Sequence, residues 1–302
     1  MVLNDPQFVA QFEQWGARFR PDELLSEHTS LGVGGPADLI DIERPEALEP
    51  IIGGLRERGI AWRLLGGGTN VLAADEPHRR VYLRLARPSQ GIEFCGDTVR
   101  ISASRDLGRS VMECAKRNFG GMEGLVGVPG SVGGALRMNA GAYGTEIGPF
   151  VRSITVFRGA EVRYEKLAAG DIGFRYRKSS FAPDDIMLDV TLNLKERPFR
   201  EILDHVKLLN ERRRGSQPLK EKSAGCIFKN PPGLSAGRMI DELGMKGTRV
   251  GGVVVSERHA NFLVNRYGAT ASDFFRMMDL IRERVLGAYG VELEEEVIVW
   301  KN

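Results

Sequence analysis

The chain has 302 residues, of which 42% are hydrophobic and 27% charged, an ordinary composition for a globular protein of two or three domains. Its net charge of +2 creates no overall field that would favour nucleic acid or an anionic membrane, and no stretch approaches the ~18 consecutive apolar residues of a membrane span. Three cysteines cannot all pair and match no zinc spacing, and the first residues lack the features of a signal peptide, so we expect a cytoplasmic protein without a metal site.

The first part of the chain predicts a helix followed by a β-α-β unit. Phe8, Phe12 and Trp15 recur at helical spacing, which predicts a leading amphipathic helix within residues 1–25. The unit itself is predicted as a strand at 37–42, a helix at 46–58 and a second strand at 62–65. The second strand leads into a glycine loop at residues 66–70. A Rossmann unit carries a G-x-G-x-x-G loop after its first strand instead, so we reject a Rossmann fold.

The middle of the chain is rich in β-branched and apolar residues, which is typical of strands. Strands are predicted at 81–85, 99–103, 153–157 and 186–194. A helix near 107–118 is expected to bury Cys114, and residues 158–160 indicate a hairpin turn. Pro198 interrupts the next element, so the expected domain boundary lies at residues 196–198.

The last third predicts alternating helices and strands. They are a basic helix at 199–213, strands at 251–255 and 262–264, a helix capped by Ser272, and a final strand near 292–300. Apolar residues line one face of the second helix, as in a helix that packs on a core. The final strand carries the acidic run 294–296.

A second glycine-rich loop covers residues 127–135. Glycine adopts positive φ without strain and lets main-chain N–H groups converge on an anion, so residues 129–134 predict a nest for a pyrophosphate. Tight turns produce the same composition, and one such loop alone is weak support. Two loops together favour a nucleotide cofactor, and the small residues at 138–144 suit the close approach of a flat ligand such as a flavin ring.

Six motifs occur in an order that is typical of one enzyme family. They are residues 66–70, 129–135 with 138–144, 176–179, 223–231, 255–262 and 293–297. On these motifs the chain closely resembles the UDP-N-acetylenolpyruvoylglucosamine reductases over about residues 25–300. The spans between Arg177, Cys226 and Glu296 are short, which resembles the compact subtype of that family that lacks an extra tyrosine-bearing loop.

The resemblance implies an α+β fold, with a two-part FAD-binding region of the vanillyl-alcohol-oxidase or PCMH type and a C-terminal α+β substrate domain. It implies that residues 1–85, joined by the C-terminal strand 292–302, form the first FAD-binding subdomain. Residues 86–196 would form the second subdomain and residues 197–291 the substrate-binding domain. It also implies a monomeric reductase that uses NADPH and non-covalently bound FAD. The implied reaction reduces UDP-N-acetylglucosamine enolpyruvate to UDP-N-acetylmuramate for peptidoglycan, with no nucleic acid or membrane as partner.

The same resemblance implies catalytic roles for Arg177, Cys226 and Glu296. The arginine would hold the substrate carboxylate through two contacts, and the glutamate, when protonated, would stabilise developing negative charge. Cys226 stands where the family usually has a proton-donating serine. A thiol, with an ordinary pKa of ~8.5, releases a proton more readily, so the role would be preserved. The alternatives are a surface arginine, an inert buried cysteine, and a neighbouring glutamate of the run 294–296.

Binding residues are implied in the same way. Cofactor contacts are expected from Gly66, Gly67, Gly68, Thr69, Asn70, Pro129, Gly130, Ser131, Gly133, Gly134, Asn139, Ala140 and Gly141. Substrate contacts are expected from Tyr176, Arg213, Gln217, Lys229 and Asn230. For Arg213 and Gln217 a structural cap is the alternative role. For His259 a buried structural role is favoured over catalysis.

Two other functions stay open from the sequence. The first is another flavin-dependent oxidoreductase of the same fold that acts on an alcohol, a class that often tethers FAD through histidine or cysteine. Cys95 and Cys114 lie outside the glycine loops, and His28 is the only histidine near them. The second is a flavin-binding relative without turnover, against which the complete set of expected catalytic residues argues.

Overall fold

The structure, a computed structural model, describes residues 2–86 and 91–301. In this part of the chain the α-helices are α1 (Pro6–Val9), α2 (Phe12–Trp15), α3 (Leu48–Glu57), α4 (Leu107–Lys116), α5 (Val132–Arg137), α6 (Phe199–Ser216), α7 (Ala236–Glu242) and α8 (Ala271–Tyr289). The strands are β1 (Ala17–Leu24), β2 (Pro36–Ile42), β3 (Trp62–Leu64), β4 (Val71–Ala73), β5 (Val81–Leu85), β6 (Ile92–Cys95), β7 (Thr98–Ser102), β8 (Phe119–Gly120), β9 (Gly141–Ala142), β10 (Thr145–Glu146), β11 (Val151–Arg158), β12 (Arg163–Ala168), β13 (Phe174–Arg175), β14 (Lys178–Ser179), β15 (Asp185–Asn193), β16 (Lys195–Glu196), β17 (Arg249–Val250), β18 (Val253–Val255), β19 (Leu263–Asn265) and β20 (Ile298–Trp300).

The chain divides into two compact units, each built from three separated segments. Unit 1 consists of Met1–Asp22, Asp38–Gly67 and Arg79–Glu211, and unit 2 of Glu23–Ala37, Gly68–His78 and Arg212–Asn302. The three functional ranges expected from the sequence stay a prediction. The first boundary, between residues 85 and 86, adjoins residues 87–90, which lie outside the described part of the chain. Residues 1 and 302, at the outer ends of these ranges, also lie outside it.

The first layer of unit 1 is the predicted β-α-β unit. Its sheet has the strand order β1-β2-β5-β3, in which β5 pairs in parallel with both β2 and β3. Helix α3 buries Leu48, Ile51, Ile52 and Leu55, the i, i+3, i+4, i+7 pattern of a helix that packs on a core. The predicted strand-helix-strand order is confirmed, and β3 leads directly into the first glycine loop.

The second layer of unit 1 is an antiparallel sheet with the strand order β12-β11-β15-β7-β6. The expected hairpin turn is confirmed, because Arg158 in β11 lies opposite Arg163 in β12. Helices α4 and α5 contribute side chains to the core that this sheet forms. Cys114 in α4 is buried as expected, and burial raises the pKa of its thiol to about 12.

Unit 2 packs α7 and α8 against short strands. β18 lies between β17 and β19 in an antiparallel sheet, and β20 pairs in parallel with β4, with Ile298 opposite Val71. The core contains Ile227 and Phe228 from the segment that follows Cys226, both at most 1% exposed. The cysteine is thereby held next to a rigid apolar interior.

The structure corrects two predicted elements. Residues 1–25 do not form one helix, because Gly16 ends α2 in the left-handed conformation (φ 86°) and β1 follows at once. Ser272 does not cap α8. Thr270 does, since its hydroxyl accepts from the N–H of Asp273 while the Asp273 carboxylate accepts from the N–H of Thr270.

The strands predicted at 251–255 and 292–300 are shorter in the structure. The first begins at Val253, because Gly251 is left-handed (φ 54°), and the second is limited to Ile298–Trp300. Residues 294–296 instead hydrogen-bond to the segment 227–229, which brings the acidic run beside the expected proton donor.

Candidate active site

The two glycine loops touch each other within unit 1, main chain against main chain. A Cβ atom placed on Gly67 would lie 2.9 Å from Cα of Gly130 and 3.3 Å from the nitrogen of Ser131, and one on Gly66 would lie 3.2 Å from Ser131 Oγ. Any side chain on Gly67 would push the loops apart. The glycines are therefore required for this close approach.

Neighbouring strands and helices fix the second loop. The N–H of Leu107 donates to the carbonyl of Gly130 (3.0 Å), and the N–H of Gly133 donates to that of Ala103 (2.7 Å). Ser131 caps α5, since its hydroxyl accepts from the N–H of Gly134 (3.2 Å). These contacts hold the main chain of the loop in place before any ligand binds.

These loops fit the pyrophosphate of FAD. The solvent can reach the main chain at Gly66, Gly67 and Gly134. The apolar side chains of the neighbouring Leu65 and Val132 are buried beneath it. Main-chain N–H groups without a covering side chain suit a negatively charged diphosphate. Gly66 and Gly67 are thus brought against Gly130 and Ser131. The contacts of these residues, and of Pro129, Gly133 and Gly134 in the same loop, with FAD stay a prediction.

Asn139, a further expected cofactor residue, is almost fully buried and left-handed (φ 42°). Its Nδ2 donates to the Glu146 carboxylate (2.8 Å) and to the carbonyl of Arg175 (3.1 Å), and its Oδ1 accepts from the N–H of Gly148 (3.0 Å). The side-chain amide therefore holds the loop that carries Ala140 and Gly141. Glu146 was missed by the sequence reasoning, because only the fold brings it beside Asn139.

Arg177 lies in the tight turn between β13 and β14, in the left-handed conformation (φ 53°). A Cβ atom on Gly141 would lie 3.2 Å from Nη1 of Arg177, which places the guanidinium directly against the expected flavin loop. Its central carbon lies 5.0 Å from the ring centroid of Tyr176, which is 49% exposed. Within unit 1, the expected catalytic arginine and the expected cofactor loop are therefore neighbours.

In unit 2, Cys226 and Glu296 belong to adjacent hydrogen-bonded segments. Cys226 is half-buried and forms a β-bridge with Phe262. The next residue, Ile227, accepts from the N–H of Glu296 at its carbonyl (2.7 Å). The expected proton donor and the expected acid are thereby held in a fixed register within one unit.

The structure distinguishes the three glutamates of the acidic run. Glu294 forms an ion pair with Lys229, and Glu295 forms one with Arg282. The carbonyl of Glu296 accepts from Nδ2 of Asn70 (3.0 Å) in the first glycine loop. The carboxylates of Glu294 and Glu295 are thus engaged by basic side chains of the protein. Glu296 stays the predicted one.

The expected substrate residues of unit 2 have protein partners. Besides the Lys229–Glu294 ion pair, Asn230 accepts at its side-chain oxygen from the N–H of Ala236 (3.1 Å) at the start of α7. Arg213 Nε donates to the side-chain oxygen of Gln217 (2.8 Å). Arg213 and Gln217 are thus brought together, and both the substrate role and the structural-cap role stay open for them.

The remaining cofactor residues of the first loop, Gly68, Thr69 and Asn70, fall in unit 2. Gly68 is left-handed (φ 64°), and a Cβ atom there would lie only 1.8 Å from the carbonyl oxygen of His28, so this position requires glycine. His259 is half-buried, its Nδ1 accepts from the N–H of Asn261 (3.3 Å), and burial lowers the pKa of its ring. These contacts favour the structural role.

The described residues contain neither a candidate metal site nor a helix that could span a membrane. Residues 2–86 and 91–301 contain no group of three histidine, cysteine, aspartate or glutamate side chains that could hold a metal ion. No helix in this part of the chain is both long and apolar enough to cross a bilayer.

Two family profiles match this chain. An FAD binding domain profile matches residues 36–160, and a profile for the C-terminal domain of UDP-N-acetylenolpyruvoylglucosamine reductase matches residues 217–300. The chain is thus a flavoprotein with the expected α+β fold, an FAD-binding region and a C-terminal α+β domain.

The chain belongs to the UDP-N-acetylenolpyruvoylglucosamine reductase family. It is 42% identical to the reductase of Thermus thermophilus over 274 residues, which covers 91% of this chain and 97% of that one. It is 39% identical to a Symbiobacterium thermophilum reductase over 285 residues, 94% and 92% of the two chains. The crystal structure of the Thermus caldophilus reductase matches with a TM-score of 0.82 at 40% identity, covering 94% and 100%. The resemblance drawn from the motifs is confirmed.

Proposed function

We propose that this chain reduces the enolpyruvyl ether of UDP-N-acetylglucosamine to the lactyl ether of UDP-N-acetylmuramate, with NADPH as reductant, in the synthesis of a peptidoglycan precursor. The proposal rests on membership in the reductase family along more than 90% of the chain. We propose that it does so as a monomer in the cytoplasm. Sedimentation of the holoenzyme at about the mass of one chain, 33.4 kDa, would support the monomer, and a dimer mass would contradict it.

The reaction adds a hydride to the methylene carbon of the enolpyruvyl group and a proton to the α-carbon, which bears the ether oxygen. Bound FAD supplies the hydride chemistry. Electrons from the double bond move toward the substrate carboxylate, which gains negative charge in the transition state. The protein must therefore stabilise this charge and deliver one proton to the α-carbon.

Arg177 holds the substrate carboxylate in this proposal. A guanidinium makes two parallel contacts to a carboxylate and keeps its charge throughout the reaction, so it stabilises the developing negative charge. The support is its position against Gly141 at the flavin loop. A two-residue turn between paired strands restricts its main chain, which keeps the guanidinium in one region.

Cys226 donates the proton to the α-carbon, and Glu296, in its protonated form, donates a hydrogen bond to the charge that develops on the substrate. The observation that carries this assignment is the hydrogen bond from the N–H of Glu296 to the carbonyl of Ile227, adjacent to Cys226 (2.7 Å). It fixes both residues in one register. Main-chain pairing of this kind orients the two groups without using either side chain.

An anaerobic titration of the yellow holoenzyme tests the function. NADPH should bleach the flavin, and UDP-N-acetylglucosamine enolpyruvate should then restore the colour in the absence of oxygen. Bleaching without restoration would contradict the proposed substrate and favour another oxidoreductase. Failure of NADPH to bleach the flavin would favour a relative without turnover, and FAD that stays attached after denaturation would favour the covalent class.

Variants of Cys226 test the proton-donor role. Cys226→Ala should slow reoxidation by the enolpyruvyl substrate by about 10²–10⁴-fold, the usual contribution of a positioned acid, while reduction by NADPH stays near normal. Cys226→Ser should keep substantial activity, because a hydroxyl can also donate. Cys95→Ala is the matched control, since Cys95 is exposed and distant in the sequence. Fast reoxidation of the alanine variant would refute the role.

A further inference from the structure

Asn261 lies in the motif 255–262, and neither the sequence reasoning nor the proposed mechanism gives it a role. Its side chain is only 3% exposed. The Oδ1 atom accepts from the N–H of Phe228 (3.0 Å), and Nδ2 donates to the carbonyl of the same residue (2.7 Å). The amide thus satisfies both main-chain groups of one residue, as a neighbouring strand would do.

This amide extends the pairing of the Cys226 segment along one edge. On that edge the carbonyl of Asn261 also accepts from the N–H of Ile227 (2.9 Å). On the opposite edge Ile227 accepts from Glu296, and the N–H of Lys229 donates to the carbonyl of Glu294 (2.8 Å). Residues 226–229 therefore lie between the Asn261 segment and the acidic run, and hydrogen bonds on both edges determine their register.

The conformation of Asn261 is itself fixed. Its N–H donates to His259 Nδ1 (3.3 Å), and the N–H of Phe262 donates to the carbonyl of His259 (2.9 Å). The turn before Asn261 is thus closed by two hydrogen bonds. A side chain held by a closed turn can act as a rigid template for the segment it contacts.

We propose that Asn261 is a positioning residue for the reduction: its amide sets the register of residues 226–229 and thereby aims Cys226 at the α-carbon of the substrate. The inference rests on the proposed function. Side-chain direction reverses with each residue of a paired segment, so a slip by one residue would turn the thiol away. Only asparagine has the length and the donor and acceptor pair that this contact uses, since aspartate cannot donate when ionised.

The test uses Asn261→Asp and times the two half-reactions of the holoenzyme separately. At pH 8 the ionised carboxylate faces the carbonyl of Phe228, and reoxidation by the enolpyruvyl substrate should slow by about 100-fold, the cost of a misplaced reacting group. Reduction by NADPH should stay within about twofold of wild type, because Asn261 has no part in that step. Burial and the facing carbonyl of Phe228 should raise the pKa of the introduced carboxyl above its ordinary ~3.9. A neutral carboxyl can both accept and donate, so lowering the pH to 5.5 should restore reoxidation toward the wild-type rate.

Asn265→Asp is the matched control. The Asn265 side chain also joins two main-chain groups of this unit, since Nδ2 donates to the carbonyl of Leu31 (2.9 Å) and Oδ1 accepts from the N–H of Ala269 (2.8 Å). It makes these contacts away from the Cys226 segment. Reoxidation in this control should follow the wild-type pH profile, and a pH-dependent loss equal to that of Asn261→Asp would overturn the proposal.

Further results with Asn261 variants would support or overturn its positioning role. Equal loss of both half-reactions in Asn261→Asp, or no loss at all, would overturn the positioning role. If aspartate prevents folding, Asn261→Ser, which keeps one hydrogen-bonding group, must show the same selective loss of reoxidation. If wild-type flavin is not reoxidised, the proposed function fails. The pH profile of iodoacetamide labelling at Cys226 then decides the positioning role: a profile changed by Asn261→Asp but not by Asn265→Asp supports it, and an unchanged one overturns it.

Discussion

The glycine loops of unit 1 and the Cys226 segment of unit 2 differ in which atoms carry the function. At the loops, main chain meets main chain, and the absence of side chains at Gly66 and Gly67 creates the contact. At the Cys226 segment the main chain of Ile227 pairs with Asn261 on one edge and with Glu296 on the other, and in the proposed function the side chains of Cys226 and Glu296 supply the chemistry. In the proposed function the first region binds FAD through its backbone, whereas the second uses its backbone to hold reactive side chains.

This difference determines how each region tolerates change. A loop that binds through main-chain groups fails when a side chain is added. A paired segment accepts a new side chain more easily but fails when its register is lost. Substitutions that add a Cβ atom, remove a charge or remove a capping group therefore separate the two regions experimentally.

Among these substitutions the largest effect is expected at Arg177, the proposed catalytic side chain, which lies against Gly141 of the expected flavin loop. Arg177→Ala should slow reoxidation by the enolpyruvyl substrate by about 10²–10³-fold, because the substrate carboxylate loses its charged partner. Arg177→Lys should not restore it, since an ammonium cannot make two parallel contacts. Stopped-flow absorbance of the flavin measures both half-reactions. Arg175→Ala, from the same hairpin, is the control, and equal loss in both half-reactions would indicate misfolding instead.

The backbone side of the comparison is tested by Gly67→Ala. Its Cβ atom would lie 2.9 Å from Cα of Gly130, so the two loops must separate. Overpacking costs about 1–3 kcal/mol, which should weaken FAD binding by about tenfold or more. Flavin fluorescence during FAD titration of the apoprotein measures this. Gly53→Ala in α3, where nothing lies within 4 Å, should bind FAD normally, and equal affinities in the two variants would contradict the loop assignment.

A smaller, pH-dependent effect is expected at Asp273 in unit 2. The N–H of Gly252 and then that of Thr270 donate to this carboxylate, and with Arg276 they hold its pKa at about 2, below its ordinary 3.8. The stabilisation is therefore present above pH 3.8 and lost as the pH falls toward 2. Asp273→Asn should lower the free energy of unfolding at pH 7 by about 1.5 kcal/mol or more, because charged hydrogen bonds are lost.

Urea unfolding of wild type and Asp273→Asn at pH 7, 4 and 3 makes this measurement. The difference between the two proteins should shrink as the pH falls, since Asp273 of the unfolded wild-type chain, with its ordinary pKa of 3.8, becomes protonated before the folded one. A difference that stays constant with pH would show that the charge of Asp273 is not the cause.

The smallest effect is expected at Asp75, which accepts from the N–H groups of Ala271 (2.9 Å) and Ser272 (3.3 Å) at the start of α8. Asp75→Asn keeps an acceptor but removes the charge that favours a helix N-terminus, so the loss should be about 0.3–1 kcal/mol. Thermal unfolding measures it, and the adjacent exposed Glu76→Gln is the control. A melting temperature unchanged relative to that control would contradict the helix-cap role.

Much of the fold could be predicted, because local patterns determine it. The period of α3, the turn after Arg158 and the glycine loops all depend on residues that are neighbours in the sequence. The predicted leading helix was wrong because Gly16 ends α2 after one turn. The predicted cap of α8 was wrong because Thr270 and Asp273 form a reciprocal pair of hydrogen bonds.

The contacts of the candidate site were less predictable, because they join distant segments. Family motifs gave Arg177, Cys226 and Glu296, and the register between the last two became visible only through the hydrogen bond to Ile227. The buried amides of Asn139 and Asn261 look like ordinary polar residues in the sequence. Which main-chain groups they satisfy depends on tertiary packing, which no local pattern encodes.

The parallel pairing of β4 with β20 bears on how the polypeptide acquires its shape while it is made. The two strands are far apart in the sequence, since Val71 lies opposite Ile298. A ribosome releases β4 long before residues 298–300 are synthesised, so the apolar side chains of Val71 and Leu72 lack this strand partner until then. Unit 1, whose segments are complete by Glu211, can finish earlier. Nascent chains stalled before β20 should therefore bind chaperones through β4, whose apolar side chains are still unpaired with that strand.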